Sequence, residues 1–512
     1  MIQRPSRVVA AALVALSCLA AACGDGESRP SDEPVTGSTS LALITHLSTT
    51  VGCPWVGRAI TGSTPAWFLE PRSSQPGLDF LGTDLGGYFH HLGVDYVMFG
   101  DATRSVWLRN DDAYAQMTDR SPCPKLRFVT EVGPTGLLTA AAPRVRLRDP
   151  VTSRLYDWPL GANETSTGIS DGRDAFTISA VHKRCTVDSE CGTRGDTCCP
   201  AGSVDCEPGV CTARVADGGP FSRSAFLISK FDREPRTSPD LVIEGTNQLR
   251  LWQSIAARAV PRFDPRTPFA GAYHGMPNRP EGAAASQPKL FVWGRPAFGA
   301  TIQQATYLLY YDLAEPSVTR WQKPMVFSGF DAAGAPIWKW TDPAQLETSV
   351  ALPVIPAATE TIGGAPILLP GLMSVSWVEE LGTWLMIYGG RPPGAPDAKH
   401  GDKLGTRFAG DATLGLVYRT APHPWGPWSA PKPLWSAARD GGYAPGGPLW
   451  HPITNAAMHT PGEWPDPIVG GEYGPGIMDR LTTVTGSTVT VRWAMSSFDP
   501  YRVWMMESRF SR

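Results

Sequence analysis

The chain has 512 residues, of which 42% are hydrophobic and 18% charged, and its formal net charge is -3 at pH 7. That balance gives no basis for nucleic acid or an anionic membrane surface as a partner, while the hydrophobic content is ample for a large core. The counts of Gly 53, Pro 49 and Trp 18 are unlike a helical bundle, and turn punctuation recurs every few residues, so an all-β protein is expected.

Arg4 and Arg7 precede an apolar run from Val8 to Ala22. The run is too short to span a bilayer and suits the core of a signal peptide. Leu19-Ala20-Ala21-Ala22-Cys23 resembles a bacterial lipobox, in which Cys23 is acylated and becomes the mature N-terminus, although Leu19 stands one place further from the cysteine than usual. Ordinary cleavage nearby is the alternative. Residues 1–23 thus form a lipoprotein-type signal, and residues 24–40 (GDGESRPSDEPVTGSTS) a flexible tether. Residues 41–512 form the folded domain. The expected location is the cell envelope or surface, through the lipid anchor alone, or outside the cell if Cys23 is not lipidated.

Residues 83 to 90 and 94 to 101 read as strands, and His91-Leu92-Gly93 supplies a turn with a glycine able to take positive φ. Folding about that turn sets Asp84 of Thr83-Asp84-Leu85-Gly86 opposite Asp101 of Phe99-Gly100-Asp101, within one step of register. Opposed like charges destabilise a sheet and raise one pKa. Such a pair suits glycoside hydrolysis, in which one carboxyl protonates the leaving oxygen while the other attacks or activates water. The plain alternative is that Asp101 caps a turn after Gly100 and Asp84 ends a strand. His90 and His91 lack metal-ligand spacing with any other histidine and read as solvated or capping.

Setting aside Cys18 and Cys23 leaves Cys53, Cys123, Cys185, Cys191, Cys198, Cys199, Cys206 and Cys211, an even set, as disulfides require. The last six follow the pattern C-x5-C-x6-C-C-x6-C-x4-C, a spacing that resembles knottin-like modules. Residues 185–211 are therefore expected to be a small stapled insertion, whose internal connectivity the spacing leaves open and which can serve as a contact for another protein. Zinc is the alternative, disfavoured by the lack of histidine in the run and by the oxidising compartment.

Apolar segments ending in Gly or Ser and then a charge recur as VMFGDA (97–102), FLISKFDR (226–233), FVWGRP (291–296), LMIYGGRP (385–392) and WAMSSFDP (493–500). Partner strands lie nearby: YLLYYDL (307–313), MSVSWVEELG (373–382), TVTVRW (488–493) and YRVWMMES (501–508). Repeated antiparallel meanders of this kind describe propeller blades, and five repeats give a five-bladed β-propeller with a small disulfide-rich insertion. Paired β-sandwiches are the competing architecture. Cys53 and Cys123, left over from the cluster, pair with each other and tie the N-terminal segment to the first blade.

Arg295 and Arg391 occupy the repeat position of Asp101, where they can donate to sugar hydroxyls or serve as structural ion-pair partners of inward aspartates. Trp293, Tyr473 and Arg480 are further substrate-binding candidates, since an aromatic face stacks on a sugar ring, although strand tryptophans commonly form core. Gly426-Pro427-Trp428 reads as a turn between blade strands with a packed tryptophan. No G-x-S-x-G elbow, P-loop or dinucleotide fingerprint is present, and neither a metal nor a cofactor is expected.

GTDLG (82–86), YVMFGDA (96–102), YRTAPHPWGPWSAP (418–431), YGPGIMDRL (473–481) and AMSSFDPYRVWMMES (494–508) resemble the bacterial domain family numbered 4185 among domains of unknown function. The similarity runs from about residue 80 to the end of the chain. The resemblance implies a five-bladed propeller and, for some members, endo-D-arabinanase activity on the arabinan of mycobacterial-type cell walls. The matching motifs place the family's proposed catalytic acids at Asp84 and Asp101. Two departures stand out: Ala102 follows Asp101 where the family motif continues with threonine, and the cystine-rich insertion is not a general feature. The two functional expectations are an exported glycoside hydrolase on a furanose-containing polysaccharide and a non-catalytic propeller that binds glycan or protein.

Overall fold

The computed structural model describes chiefly residues 44–56, 82–103, 111–128, 164–181, 225–231, 241–247, 254–260, 289–296, 303–341, 350–367, 372–390, 415–442 and 471–512, apart from a few positions within these spans and with some short strands outside them. The N-terminal segment, with Cys23, falls outside the described residues. The described residues are nearly all β: five antiparallel sheets of four or five strands stand in a ring as a five-bladed propeller.

From the inside outwards, blade 1 comprises Gly82–His91, Val94–Thr103, Asp111–Met117 and Leu126–Phe128. Blade 2 comprises Glu164–Ser170, Ala175–Val181, Ala225–Phe231 and Leu241–Asn247. Blade 3 runs Ser254–Val260, Lys289–Arg295, Tyr307–Asp312 and Met325–Phe330, with a fifth strand, Pro336–Trp340, at its edge. Blade 4 is Met373–Val378, Thr383–Gly390, Gly415–Ala421 and Lys432–Trp435. Blade 5 is Gly471–Thr485, Thr488–Phe498 and Arg502–Ser511, completed on its outer edge by Thr45–Val56. That N-terminal strand pairs antiparallel with Arg502–Ser511, from Thr45 opposite Ser511 to Val56 opposite Val503.

Four of the five repeat segments seen in the sequence are the second strands of their blades. The exception is 226–233, which falls on the third strand of blade 2; the second strand there is Ala175–Val181. The stapled insertion separates these two neighbours, so the sequence repeat attached itself to the wrong strand. Within the insertion Thr197–Cys198 pairs with Cys211–Thr212, and Cys198 is disulfide-bonded. Cys185, Cys191, Cys199 and Cys206 lie outside the described residues.

The blade strands read as continuous apolar runs because both faces of each blade are buried. In Lys289–Arg295, Leu290 and Val292 pack towards blade 2, while Phe291 and Trp293 pack towards blade 4. The same alternation around the ring yields five hydrophobic clusters, one at each blade junction. The junction of blades 3 and 4 is the aromatic one, with Trp293, Trp338, Trp384 and Trp425 in edge or tilted contact. The expected packed-turn role of the Gly-Pro-Trp element holds: it joins the third and outer strands of blade 4, and Trp428 packs against this cluster.

Near the axis the inner strands approach so closely at two points that only glycine fits. A Cβ on Gly476 of blade 5 would stand 2.1 Å from the Gly86 carbonyl oxygen of blade 1, and one on Gly168 of blade 2 would stand 2.1 Å from the Phe89 ring. The Gly476 contact is main chain on both sides, so no rotamer change relieves it. Gly476→Ala is expected to cost about 3 kcal/mol or more of stability. Thermal unfolding checks this against Gly93→Ala, where φ is +86° but nothing lies within 4 Å; that control should lose only about 1–2 kcal/mol.

Cys53 and Cys123 are joined, as expected, with Cα atoms 5.9 Å apart. The bond links the outer strand of blade 5 to the turn before the outer strand of blade 1, so it fastens the junction at which the ring closes.

Candidate functional site

The blade 1 hairpin turns at Leu92 and Gly93, both at positive φ (45° and 86°). From there the ladder is regular: His91 faces Val94, His90 faces Asp95 and Gly87 faces Met98. Continued unchanged, that count would set Asp84 directly opposite Asp101. The ladder shifts between Asp84 and Gly87, however, and Asp84 faces Gly100. The shift coincides with Gly86, at φ +128°, where a Cβ would stand 2.5 Å from the Ala494 Cβ of blade 5. A bulge of this kind bends a strand and re-aims the residues beyond it.

The two aspartates therefore lie one register step apart, with Cα atoms roughly 6 Å from each other on ladder geometry. Both belong to the end of the hairpin away from the turn. Their side chains lie outside the described residues, as does Arg391. Gly87 and Tyr88, a few residues along from Asp84, line an axial cavity with Ala256, Ser374 and Gly476 from blades 3, 4 and 5; it holds about 360 Å³ of space, part of it open to solvent.

The other expected site residues divide. Tyr473, near the start of the inner strand of blade 5, faces Ser496 and is half-buried. Gly476, three residues on, touches Gly86, so Tyr473 belongs to the same end of the propeller as Asp84. Trp293 is not a sugar platform: it is fully buried, its indole N–H donates to the Pro424 carbonyl at 3.0 Å, and its ring packs on Trp384.

Arg295 ends the second strand of blade 3 as the repeat position implied, yet it too is fully buried. Its guanidinium lies 4.4 Å from the Tyr388 ring centroid and its Nε donates to Thr306 Oγ1 at 3.1 Å, with no aspartate as partner among the described residues. Burial pushes its pKa down, against the opposing pull of Glu360. Fully buried, it offers no donor to a substrate, and it forms a cation–π contact inside the blade 3–4 junction. Beside it, Tyr388 donates to Glu360 Oε2 at 2.8 Å and Arg419 pairs with the same oxygen at 3.0 Å. Burial works against the Arg419 charge, but Tyr388 and Glu360 hold its pKa above the usual value.

Arg480 lies at the opposite end of the axis from the aspartates, where it lines a second cavity with His90, Ser170 and Arg258. The histidines are not merely solvated. His90 Nδ1 bonds Asp95 at 2.7 Å, and His91 is buried with Nδ1 on Ser170 Oγ at 2.8 Å. Asp95 also accepts from Tyr88 at 2.5 Å and from Arg120 Nε at 2.8 Å. Burial opposes its charge, but these three donors keep its carboxyl below the usual range. The sequence held the signal for this network: a two-residue turn makes residues 90 and 95 cross-strand partners.

Glu472, beside Tyr473, is a carboxylate that sequence reasoning missed. Burial pushes its pKa up to about 7, outweighing the hydrogen bond it accepts from the Ala437 amide at 3.2 Å, and Asp440 adds to the rise. Its Oε1 is directed towards blade 4, where a Cβ on Gly415 would stand 2.6 Å away, so it braces that junction. Between pH 4.5, its ordinary value, and about 7 the folded chain holds this proton more tightly than the unfolded chain. Stability should fall by about 2–3 kcal/mol as pH rises through that window, and Glu472→Gln should remove that slope. Denaturant titrations at pH 5 and pH 8 check this.

No protein-family profile matches the chain, the 4185 family included, and no curated protein does. Solved structures align over much of the chain at low identity. The catalytic domain of a Coprinopsis cinerea GH62 alpha-L-arabinofuranosidase covers 91% of this chain and 97% of its own, at 8% identity and a TM-score of 0.34. A GH43_1 enzyme from Xanthomonas citri covers 86% and 90% at 9% identity and a TM-score of 0.34. An alpha-L-arabinofuranosidase from Lactobacillus brevis covers 66% and 73% at 10% identity and a TM-score of 0.30. Likeness at this level assigns no activity.

Proposed function

We propose that this protein is an exported, lipid-anchored glycoside hydrolase that cleaves a furanose-containing polysaccharide, acting within D-arabinan chains, with Asp84 and Asp101 as its carboxyl pair. The observation that carries the reading is their placement: one register step apart, at one end of the blade 1 hairpin, beyond the inner-strand residues that line the axial cavity. One carboxyl protonates the glycosidic oxygen and the other attacks the anomeric carbon or activates the water that does. Retention needs carboxyls roughly 5–5.5 Å apart and inversion roughly 6.5–9.5 Å, and a one-step offset in the ladder admits either. Tyr473, half-buried at the same end, is an aromatic residue we assign to the bound sugar.

The deciding experiment incubates the protein with D-arabinan and a panel of other polysaccharides and tracks released oligosaccharides. Endo-cleavage of D-arabinan is the expected result. Binding of a glycan with no cleavage of any substrate would replace this reading with that of a carbohydrate-binding propeller.

A further inference from the structure

The second cavity lies between the inner strands of blades 1, 2, 3 and 5, six residues along the inner strand of blade 1 from Asp84 and so about 20 Å from it. Its space, part of it open solvent, is about 360 Å³. Phe89, Gly168 and Ile169 line it together with the polar residues His90, Ser170, Arg258 and Arg480.

Those polar groups form an ordered set. The Asp95 carboxylate accepts from His90 Nδ1, so in the neutral ring Nε2 is the acceptor, with no hydrogen-bond partner among the described residues. Tyr88 and Arg120 saturate Asp95 from its other sides, so the imidazole is held in one orientation. Arg258 spans the axis to pair with Asp479 of blade 5, and the charges of these two cancel. Asp479 Oδ1 is buried and without a hydrogen-bond partner. Arg480 is exposed and makes no ion pair among the described residues, so it leaves one uncompensated positive charge at the cavity. Ser170 adds a hydroxyl already engaged by His91.

A ligand that satisfies this lining must carry negative charge, accept hydrogen bonds from guanidinium and also donate one. Sulfate and carboxylate ions meet the first two requirements and fail the third. A hydrogen phosphate or a protonated phosphomonoester meets all three. We propose that the cavity is a binding site for a phosphoryl group, with Arg480 and Arg258 donating to its oxygens and its O–H donating to His90 Nε2. The site lies six residues along the strand from the aspartate pair, and Arg258 lines both cavities, but the binding neither requires nor supplies hydrolysis.

Calorimetric titration of the whole protein with inorganic phosphate, with a monosaccharide phosphate and with sulfate tests this. Phosphate should bind, sulfate should bind at least tenfold more weakly, and Arg480→Gln should weaken phosphate binding at least tenfold. His90→Phe, which removes the acceptor, should bring the phosphate and sulfate affinities together. Tighter binding of the sugar phosphate than of inorganic phosphate would mark a glycan-borne group as the ligand; the reverse would mark the free ion. Equal affinity for phosphate and sulfate in the native protein, or phosphate binding unchanged by Arg480→Gln, would overturn the proposal, as would no binding at 10 mM. None of these outcomes depends on whether the protein cleaves arabinan.

Discussion

Asp84→Asn and Asp101→Asn should each reduce polysaccharide cleavage by about 10² to 10⁴-fold, the range over which positioned acid–base groups contribute. Asparagine keeps the size of the side chain and removes its ability to exchange a proton or attack. Both residues belong to a ladder held by main-chain bonds, with Asp84 facing Gly100, so folding should survive. The thermal midpoint of each variant should stay at or slightly above that of the native protein, because one partner of a like-charge pair is gone. Initial rates and melting curves of the same preparations provide the check. A variant that melts normally and retains full activity would exclude its aspartate from the chemistry. If the mechanism is retaining, azide should rescue the variant lacking the nucleophile with a glycosyl azide of inverted configuration and the variant lacking the acid/base with one of retained configuration, so the rescue products assign the two roles; an inverting enzyme should give no retained azide from either variant.

Loss of the Cys53–Cys123 bond should have the largest effect on stability. It closes a loop with a sequence separation of 70, for which the chain-entropy relation gives about 4 kcal/mol. The Cys53→Ser, Cys123→Ser double variant isolates this term, since a reductant would also open the disulfide at Cys198. Chemical denaturation should show a lower midpoint. The native structure should change little, because Thr45–Val56 keeps its ladder to Arg502–Ser511.

The architecture was largely legible in the sequence because blades are made of local hairpins. Runs such as Phe291-Val292-Trp293-Gly294 announce strands buried on both faces, and the glycine of Leu92-Gly93 fixes the first turn. Legibility failed where contacts are remote. The connection that carries the insertion puts 43 residues between the second and third strands of blade 2, from Val181 to Ala225, and the repeat was read one strand late. Asp84 lies within one step of register of Asp101, as the sequence implied; which step was hidden, because the bulge at Gly86 answers to Ala494, some four hundred residues away. For Arg295 and Trp293 the sequence left a substrate role and a structural one both open, because strand alternation fixes only which neighbour a residue faces. That the facing blade would cover them completely is a matter of packing between blades. Arg480 carried no label of end: the inner strand of blade 5 is 15 residues long, and Tyr473 and Arg480 sit far apart on it. Glu360 and Arg419 meet through Tyr388 across three separate segments, which no local pattern foreshadows.

The strand that completes blade 5 leaves the ribosome before any other blade strand, and its partner, Arg502–Ser511, leaves after them all. Blades 1 to 4 can form in the order they are made, each from its own hairpins. The ring cannot shut until that final strand has emerged, and until then the outer edge of blade 5 is an unpaired strand beside four finished blades. A chain cut short before Arg502 would carry four sound blades and an open seam, a form that cellular quality control can recognise by that seam.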